Sequence, residues 1–195
     1  MDKYQAFNSE LMTLFQKMST TFSGLQNNSG LTCLNECGEC CLSPQVECTI
    51  LEALPLALEQ YQKGEAEQVL EQLKNSQAMV CHFYQAHSAD GKKGRCGIYE
   101  QRPGICRMFG AYARRNKSQD YVLGLCKLIR EKHGEDLNGI ALTYEHDMAY
   151  WRQLMNSIAP ALSEHLYPIN QAFELALEHV LSYYHFSSMK KVLES

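Results

Sequence analysis

No stretch of this 195-residue chain stays apolar for the roughly 20 residues that a membrane-spanning helix needs; the longest apolar run, around Leu54 to Leu58, is a fraction of that. The first residues, Met1-Asp2-Lys3-Tyr4-Gln5, lack the basic opening and apolar core of a secretory signal. Phe7, Leu11, Leu14, Met18 and Phe22 recur there at helical spacing instead. These absences predict a soluble, cytoplasmic protein in a thiol-reducing compartment, with no membrane partner. Internal repeats, low-complexity tracts and Pro- or Ser-rich linkers are missing too, so residues 1–195 are expected to form a single domain. No Ser-His-Asp or Cys-His arrangement, phosphate loop or dinucleotide fingerprint names a reaction, and the sequence leaves open whether the protein is an enzyme.

What the chain has in abundance is cysteine, nine residues in all. Four of them fall in the run Cys33-Leu34-Asn35-Glu36-Cys37-Gly38-Glu39-Cys40-Cys41, and Cys48, Cys81, Cys96, Cys106 and Cys126 follow. Thiolates this dense repel one another or oxidise unless a cation holds them. A disulfide framework belongs to small secreted domains, whereas a chain of this length buries about two-thirds of its surface without staples. The grouping therefore points to a metal. Cys33-x3-Cys37-x2-Cys40 lets one loop curl three thiolates around a centre, and Gly38 permits the backbone turn this needs. Cys40 and Cys41 are adjacent, so their side chains diverge and more easily serve different centres, or a centre and its packing shell, than one tetrahedral ion.

Outside the cysteine loops the periodicity is helical nearly throughout. A first helix is expected from Lys3 to Phe22, followed by a loop at Gln26-Asn27-Asn28-Ser29-Gly30. Ser43-Pro44 reads as the start of a second helix carrying Val46, Ile50, Leu51, Leu54 and Leu58, kinked or broken at Pro55. Glu65 to Lys74 reads as a polar helix, and Tyr121 to His133 as another ending at Gly134. The turn Asp90-Gly91-Lys92-Lys93-Gly94 marks the one place where a short hairpin is expected. Residues 138–187 predict a C-terminal helical pair packing on the cysteine region of residues 33–126. Its stripes are Ile140, Tyr144, Met148, Trp151, Met155 and Ile158, then Ile169, Phe173, Ala176, Leu177, Val180 and Tyr184, which we read as core. The fold class is mainly α: a compact helical domain with irregular cysteine-rich metal-binding loops and at most a short hairpin.

The net charge is −4, but residues 76–117 carry eight bases against two acids. Lys92, Lys93, Arg95, Arg102, Arg107, Arg114, Arg115 and Lys117 thus surround the second cysteine group. Such cations offset a four-thiolate centre, whose net charge stays near about −2 for zinc or an oxidised four-iron cluster. The competing reading is a surface for a small anionic ligand or a protein partner. No RNA-binding signature or aromatic-interleaved basic stripe points to nucleic acid.

That second group reads Cys96-Gly97-Ile98-Tyr99-Glu100-Gln101-Arg102-Pro103-Gly104-Ile105-Cys106-Arg107-Met108-Phe109. Together with the run at Cys33 to Cys41 it resembles the YkgJ-type cysteine-cluster family of zinc- or iron-chelating proteins, over residues 33 to 126. Cys96, Tyr99, Arg102, Pro103, Cys106, Arg107 and Phe109 all fall in place. Cys81-His82-Phe83-Tyr84 lacks the family's proline, and Lys127 stands where the family has proline after Cys126. The resemblance implies Cys33, Cys37, Cys40, Cys41, Cys81, Cys96, Cys106 and Cys126 as metal ligands, in two four-thiolate sites or in one cluster with supporting thiols. Cys48 is left as a packing residue. Among the histidines, His82 beside Cys81 is the one positioned to compete for a metal.

Only Cys37-x2-Cys40 has the form of a zinc knuckle, whereas unequal spacing suits a cluster whose larger body takes ligands from separate loops. A [4Fe-4S] cluster is therefore placed ahead of Zn2+, with both open. Tyr99, Arg102 and Arg107 are candidate cofactor-binding residues, either shaping the loop and donating to sulfurs or binding a carboxylate. The resemblance implies a metal-binding protein with a structural, electron-transfer or metal-handling role. It also admits a cluster-dependent, methyltransferase-like enzyme, since flagellin lysine methylases resemble the family in their cysteine region, or a redox or metal sensor.

Overall fold

Apolar residues spaced by three and four build a helical frame around one buried central helix. The computed structural model describes residues 2–134 and 139–193, and the side chains as far as residue 187. The expected start of the C-terminal segment at residue 138 lies outside the described residues. Helix α1 (Lys3–Ser29) begins at Asp2, whose carboxylate accepts the N–H groups of Tyr4 and Gln5 at 3.0 Å each. It ends two turns beyond the expected Phe22. Leu25 lies on the same buried face as Phe15, Met18 and Phe22, and its burial outweighs the cost of about 1 kcal/mol for Gly24 inside a helix.

A one-turn helix, α2 (Glu39–Leu42), carries Cys40 and Cys41. The next helix does not start at Ser43-Pro44. A short strand, β1 (Glu47–Cys48), comes first, and α3 (Ile50–Lys63) starts after Thr49. Thr49 and Glu52 form a reciprocal capping box, which fixes the start more firmly than a lone Ser-Pro. Pro55 lies inside α3 without ending it. A mid-helix proline costs about 3 kcal/mol. Leu51, Ala53, Leu54, Leu56, Ala57 and Leu58 are all buried, and the leucines return about 1.5–3 kcal/mol each. Helix α4 (Ala66–Asn75) follows as expected.

The hairpin of β2 (Tyr84–Ala86) and β3 (Gly94–Cys96) surrounds the Asp90 to Gly94 turn, with Tyr84 opposite Cys96. Helix α5 (Gly104–Met108) carries Cys106. A further hairpin, β4 (Ala111–Arg115) with β5 (Tyr121–Leu125), replaces the first half of the helix expected over Tyr121 to His133. Tyr121-Val122-Leu123 are strand formers, and Gly124 would leave Cβ only 2.5 Å from Tyr112 Cζ, so the ring opposite requires glycine. Helix α6 (Lys127–His133) is the remainder, capped at its N-terminus by the Cys126 sulfur, which accepts Ile129 N–H at 3.5 Å.

A 3-10 turn at Tyr144–His146 precedes α7 (Met148–Ile158) and α8 (Pro160–Ser163). The stripe assigned from Ile140 therefore becomes helical only at Met148, with Trp151 and Met155 buried and Tyr144 exposed. Strand β6 (Tyr167–Pro168) pairs with β1, and α9 (Ile169–Leu193) closes the chain, burying Ile169, Phe173, Ala176, Leu177 and Val180 as expected. Helix α9 packs on α3 and α4, whereas α7 packs on α1. The molecule is mainly α with short antiparallel strand pairs, three among the described residues rather than a single hairpin. Among the described residues no helix is long and apolar enough to cross a membrane.

Candidate metal centre

The loops between α1 and α3 and those between α4 and α6 meet because the backbone ties them together. Cys81 N–H donates to the Cys41 carbonyl at 2.8 Å, and Gly94 N–H to the Glu36 carbonyl at 3.1 Å. Tyr84 packs between Gly38 and Gly94: a Cβ on Gly38 would lie 2.5 Å from the ring, and one on Gly94 2.6 Å from it. Gly38 also has φ +62°, a conformation that L side chains resist. Tyr84 completes the tie by donating its hydroxyl to the Gly91 carbonyl at 3.0 Å. From the far end of the chain, Asn170 accepts His82 N–H at 2.8 Å and donates to the Val80 carbonyl at 2.9 Å, clamping the loop that bears Cys81.

These ties bring Cys33, Cys37, Cys40, Cys41, Cys81, Cys96, Cys106 and Cys126 to the wall of one cavity of about 530 Å³. Tyr99, Arg102 and Arg107 line it as well. Cys48 does not; it lies in β1 at 0% exposure, behind the site rather than on the helix assigned to it. All nine cysteines are free thiols. Cys41 and Cys81 are buried, Cys33 is exposed, and the other five lining cysteines are half-buried. Among the described residues no three Cys, His, Asp or Glu side chains are gathered tightly enough to hold a single ion as they stand.

The thiols are electrically unequal. Cys41 has one S–H to share among the neighbouring sulfurs of Cys40 first, then Cys81 and Cys96, and this donation drives its own ionisation far up. The same donation lowers Cys40, against desolvation and with help from the Arg102 guanidinium. Cys96 is pulled down to about 7, first by the Cys41 S–H, then against burial by the Ile98 N–H and by Arg102 and Arg107. Cys40 and Cys96 are thus both eased toward the thiolate, the form that ligates metal. Burial, joined by neighbouring thiols, raises Cys37 and raises Cys106 strongly. Cys33 is exposed as a residue, yet desolvation is still the largest influence raising it, followed by Cys37, Cys126 and Cys40.

The two arginines of the second motif separate in role. Arg107 stacks on Phe15 at 4.6 Å and donates to the Arg102 carbonyl at 3.0 Å, to Ser19 Oγ at 3.0 Å and to the Glu100 carbonyl. Desolvation first, then Arg102, lowers it to about 10. It fastens the loop to α1. Arg102 lies 3.9 Å over the ring of Tyr99, which is 58% exposed, and its Nε is buried without a hydrogen-bond partner.

His82 does not line the cavity; it packs edge-on against Phe83, and desolvation lowers it. His87 lines it instead, 3.6 Å from Glu36. The hairpin brings His87 to the cavity rim while Asn170 holds the His82 backbone, and adjacency to Cys81 in sequence does not encode either. Glu52 was not singled out from the sequence. At 0% exposure, one of its oxygens accepts Thr49 N–H at 2.9 Å and the other accepts Ile105 N–H, beside Cys106, at 3.3 Å. The capping box was the available signal. Its reach to α5, 53 residues away, was not.

No curated protein and no solved structure matches this chain at a significant level. Residues 32–128, half of the chain, match the model of the CxxCxxCC family, whose description is "Putative zinc- or iron-chelating domain". All eight cysteines on the cavity wall fall inside that span. The chain belongs to this cysteine-cluster family, whose described property is chelation of zinc or iron.

Proposed function

We propose that Cys33, Cys37, Cys40, Cys41, Cys81, Cys96, Cys106 and Cys126 hold iron as iron–sulfur, [4Fe-4S] ahead of Zn2+, in a cytoplasmic protein that handles metal or transfers electrons. The observation that carries this is the convergence of eight thiols on one cavity, with Cys48 excluded. Tetrahedral zinc, with Zn–S near about 2.3 Å, needs its four sulfurs about 3.8 Å apart. The thiols reach the cavity from separate loops at unequal spacing, which favours a centre with a body of its own. Six of the eight keep solvent contact. Exposure of the residues around the site favours exchange of metal or electrons with the surroundings.

Anaerobic purification with iron, zinc and acid-labile sulfide analysis tests the metal. A broad absorption band near about 400 nm with iron and sulfide in equal amounts is expected. A colourless protein carrying zinc and no sulfide defeats the cluster in favour of zinc.

Arg102 favours a second reading, a cluster-dependent, methyltransferase-like enzyme. Its guanidinium faces the thiols with Nε unpartnered, while Arg107 is committed to the scaffold. On this reading Arg102, with Tyr99 beneath it, binds the carboxylate of a small ligand. Titration of the metal-loaded protein with S-adenosylmethionine decides it: binding that Arg102→Gln weakens at least tenfold supports it, and no binding by wild type removes it.

A further inference from the structure

Thr32, Cys33, Leu34, Asn35 and Glu36 are exposed residues in succession, and all but Thr32 also line the thiol cavity. One side of this stretch therefore meets solvent and the other meets the cavity, so that it forms a wall a single chain thick. Its ends are fixed. Leu31 is buried at 1% exposure, and Gly38 is pinned against the Tyr84 ring.

Between these ends the wall is thinly held. Among the described residues its one backbone hydrogen bond to another element runs from Gly94 N–H, in β3, to the Glu36 carbonyl at 3.1 Å. The Glu36 side chain lies against the same hairpin, with Oε1 3.6 Å from His87 Nδ1. Cys33 adds a weak sulfur contact, its S–H to the Phe109 carbonyl at 3.8 Å. Glu36 also has φ +53°, a left-handed conformation unfavourable for a residue with a long side chain. The two contacts to the hairpin hold it there against that strain, and releasing them lets the backbone relax.

The other lining cysteines are built in. Cys40 and Cys41 belong to α2, Cys96 to β3 and Cys106 to α5. Cys81 N–H is bonded to the Cys41 carbonyl at 2.8 Å, and Cys126 N–H to the Gly110 carbonyl at 2.9 Å. Cys37 adjoins the pinned Gly38. Cys33 alone of the eight stands within the wall.

We propose that residues 32–36 open as a gate over the thiol cavity, latched by Glu36 against His87, and that Cys33 is the ligand released when metal is passed to an acceptor thiol. This rests on the metal-handling reading above and gives it a route. In the step, a thiolate of the acceptor forms a bond to the metal as the bond from Cys33 Sγ breaks. Cys33 leaves with its electron pair and takes up the proton that the acceptor thiol lost, so neither the metal's oxidation state nor the net charge changes. The remaining thiols keep their places because the elements that carry them do not move.

The full chain, loaded anaerobically with iron and sulfide or with Zn2+, is mixed with excess dimercaptosuccinate, and the metal retained is followed with time. Glu36→Gln and His87→Ala should each start at the wild-type metal content and release it about twofold to fivefold faster, the effect of one exposed charged contact. The double variant should be no faster than the faster single one, since both substitutions remove the same contact. Limiting iodoacetamide, read by peptide mass mapping, should label Cys33 of the loaded wild type before any other lining cysteine. Release at the wild-type rate from both variants, or earlier labelling of another lining cysteine, overturns the gate. A metal content that falls in either variant assigns that residue to the centre itself and overturns the latch equally. His87→Ala carries the test if Glu36→Gln does not fold. A wild type that takes up neither iron nor zinc refutes the metal reading instead, a result distinct from metal that is bound and released at an unaltered rate.

Discussion

A cysteine is defined here by where its sulfur points, and Cys48 shows the contrast. Fully buried in β1 and absent from the cavity wall, it behaves as a small apolar side chain. Cys48→Ala should leave the metal content unchanged and lower stability by about 1 kcal/mol, the order expected for removing one buried atom and leaving a small void. Metal analysis and denaturant unfolding check both halves. Glu52 gives a residue-scale prediction of opposite character. Desolvation raises its pKa above 4.5, against the hydrogen bonds from Thr49 and Ile105 that lower it. A carboxyl whose folded pKa exceeds its unfolded one contributes stability in full below the unfolded pKa and loses it as pH rises through the folded value. With both proteins in the same metal state, the melting temperature of wild type relative to Glu52→Gln should rise as pH falls from about 7 to about 5. A relative fall would show that Glu52 is held ionised by its partners.

At the scale of elements, the site is assembled by the β2–β3 hairpin and the α2 loop closing on Tyr84. Gly94→Ala would drive a Cβ into the Gln85 carbonyl and the Tyr84 ring, with neighbours that cannot yield. It should cost about 1–3 kcal/mol as overpacking does, and weaken metal binding in parallel, because the displaced strand carries Cys96. Gly24→Ala is the control. It sits inside α1 with nothing within 4 Å of the added atom, and should raise stability by about 1 kcal/mol with metal binding unchanged. Thermal melts and metal titration of the pair separate the two effects. The same scale shows why element boundaries were only partly legible. Periodicity found α1, α4 and α9, whose buried residues recur on one face, from Tyr4 to Leu25 in α1, at Ala66 and Leu73 in α4 and from Ile169 to Val180 in α9. It failed at Tyr121 to Leu125, a segment whose pairing with Ala111 to Arg115 and packing of Tyr112 on Gly124 decide for strand.

For the whole molecule, α3 is the hub, with α9, α4, α1 and α8 packed around it and the thiol loops hung from that frame. A metal that binds the folded state alone adds its binding energy to stability. At a free concentration of about a thousand times its Kd it adds about 4 kcal/mol, or about 8–16 °C in Tm at this chain length. Chelation under reducing conditions should lower Tm by that order while leaving most of the helical signal, since α1, α3 and α9 themselves carry none of the cavity thiols. Loss of all helical structure on chelation would mean that the frame depends on the centre.

The sequence by itself determined that thiols, not disulfides or a nucleotide loop, carry the chemistry. It also determined that the frame is helical, because composition, spacing and the three-to-four periodicity are local properties, while the set of eight candidate cysteines came from the resemblance to the cysteine-cluster family. Tertiary structure alone decided that those candidates line one cavity, that Arg107 is spent on the scaffold while Arg102 keeps a free Nε, and that His87 rather than His82 reaches the cavity. The physical reason is range. The contacts that settle these points join residues far apart in the chain, Ile105 to Glu52, His82 to Asn170 and Arg107 to Ser19, and no local pattern records which distant partner a side chain will meet.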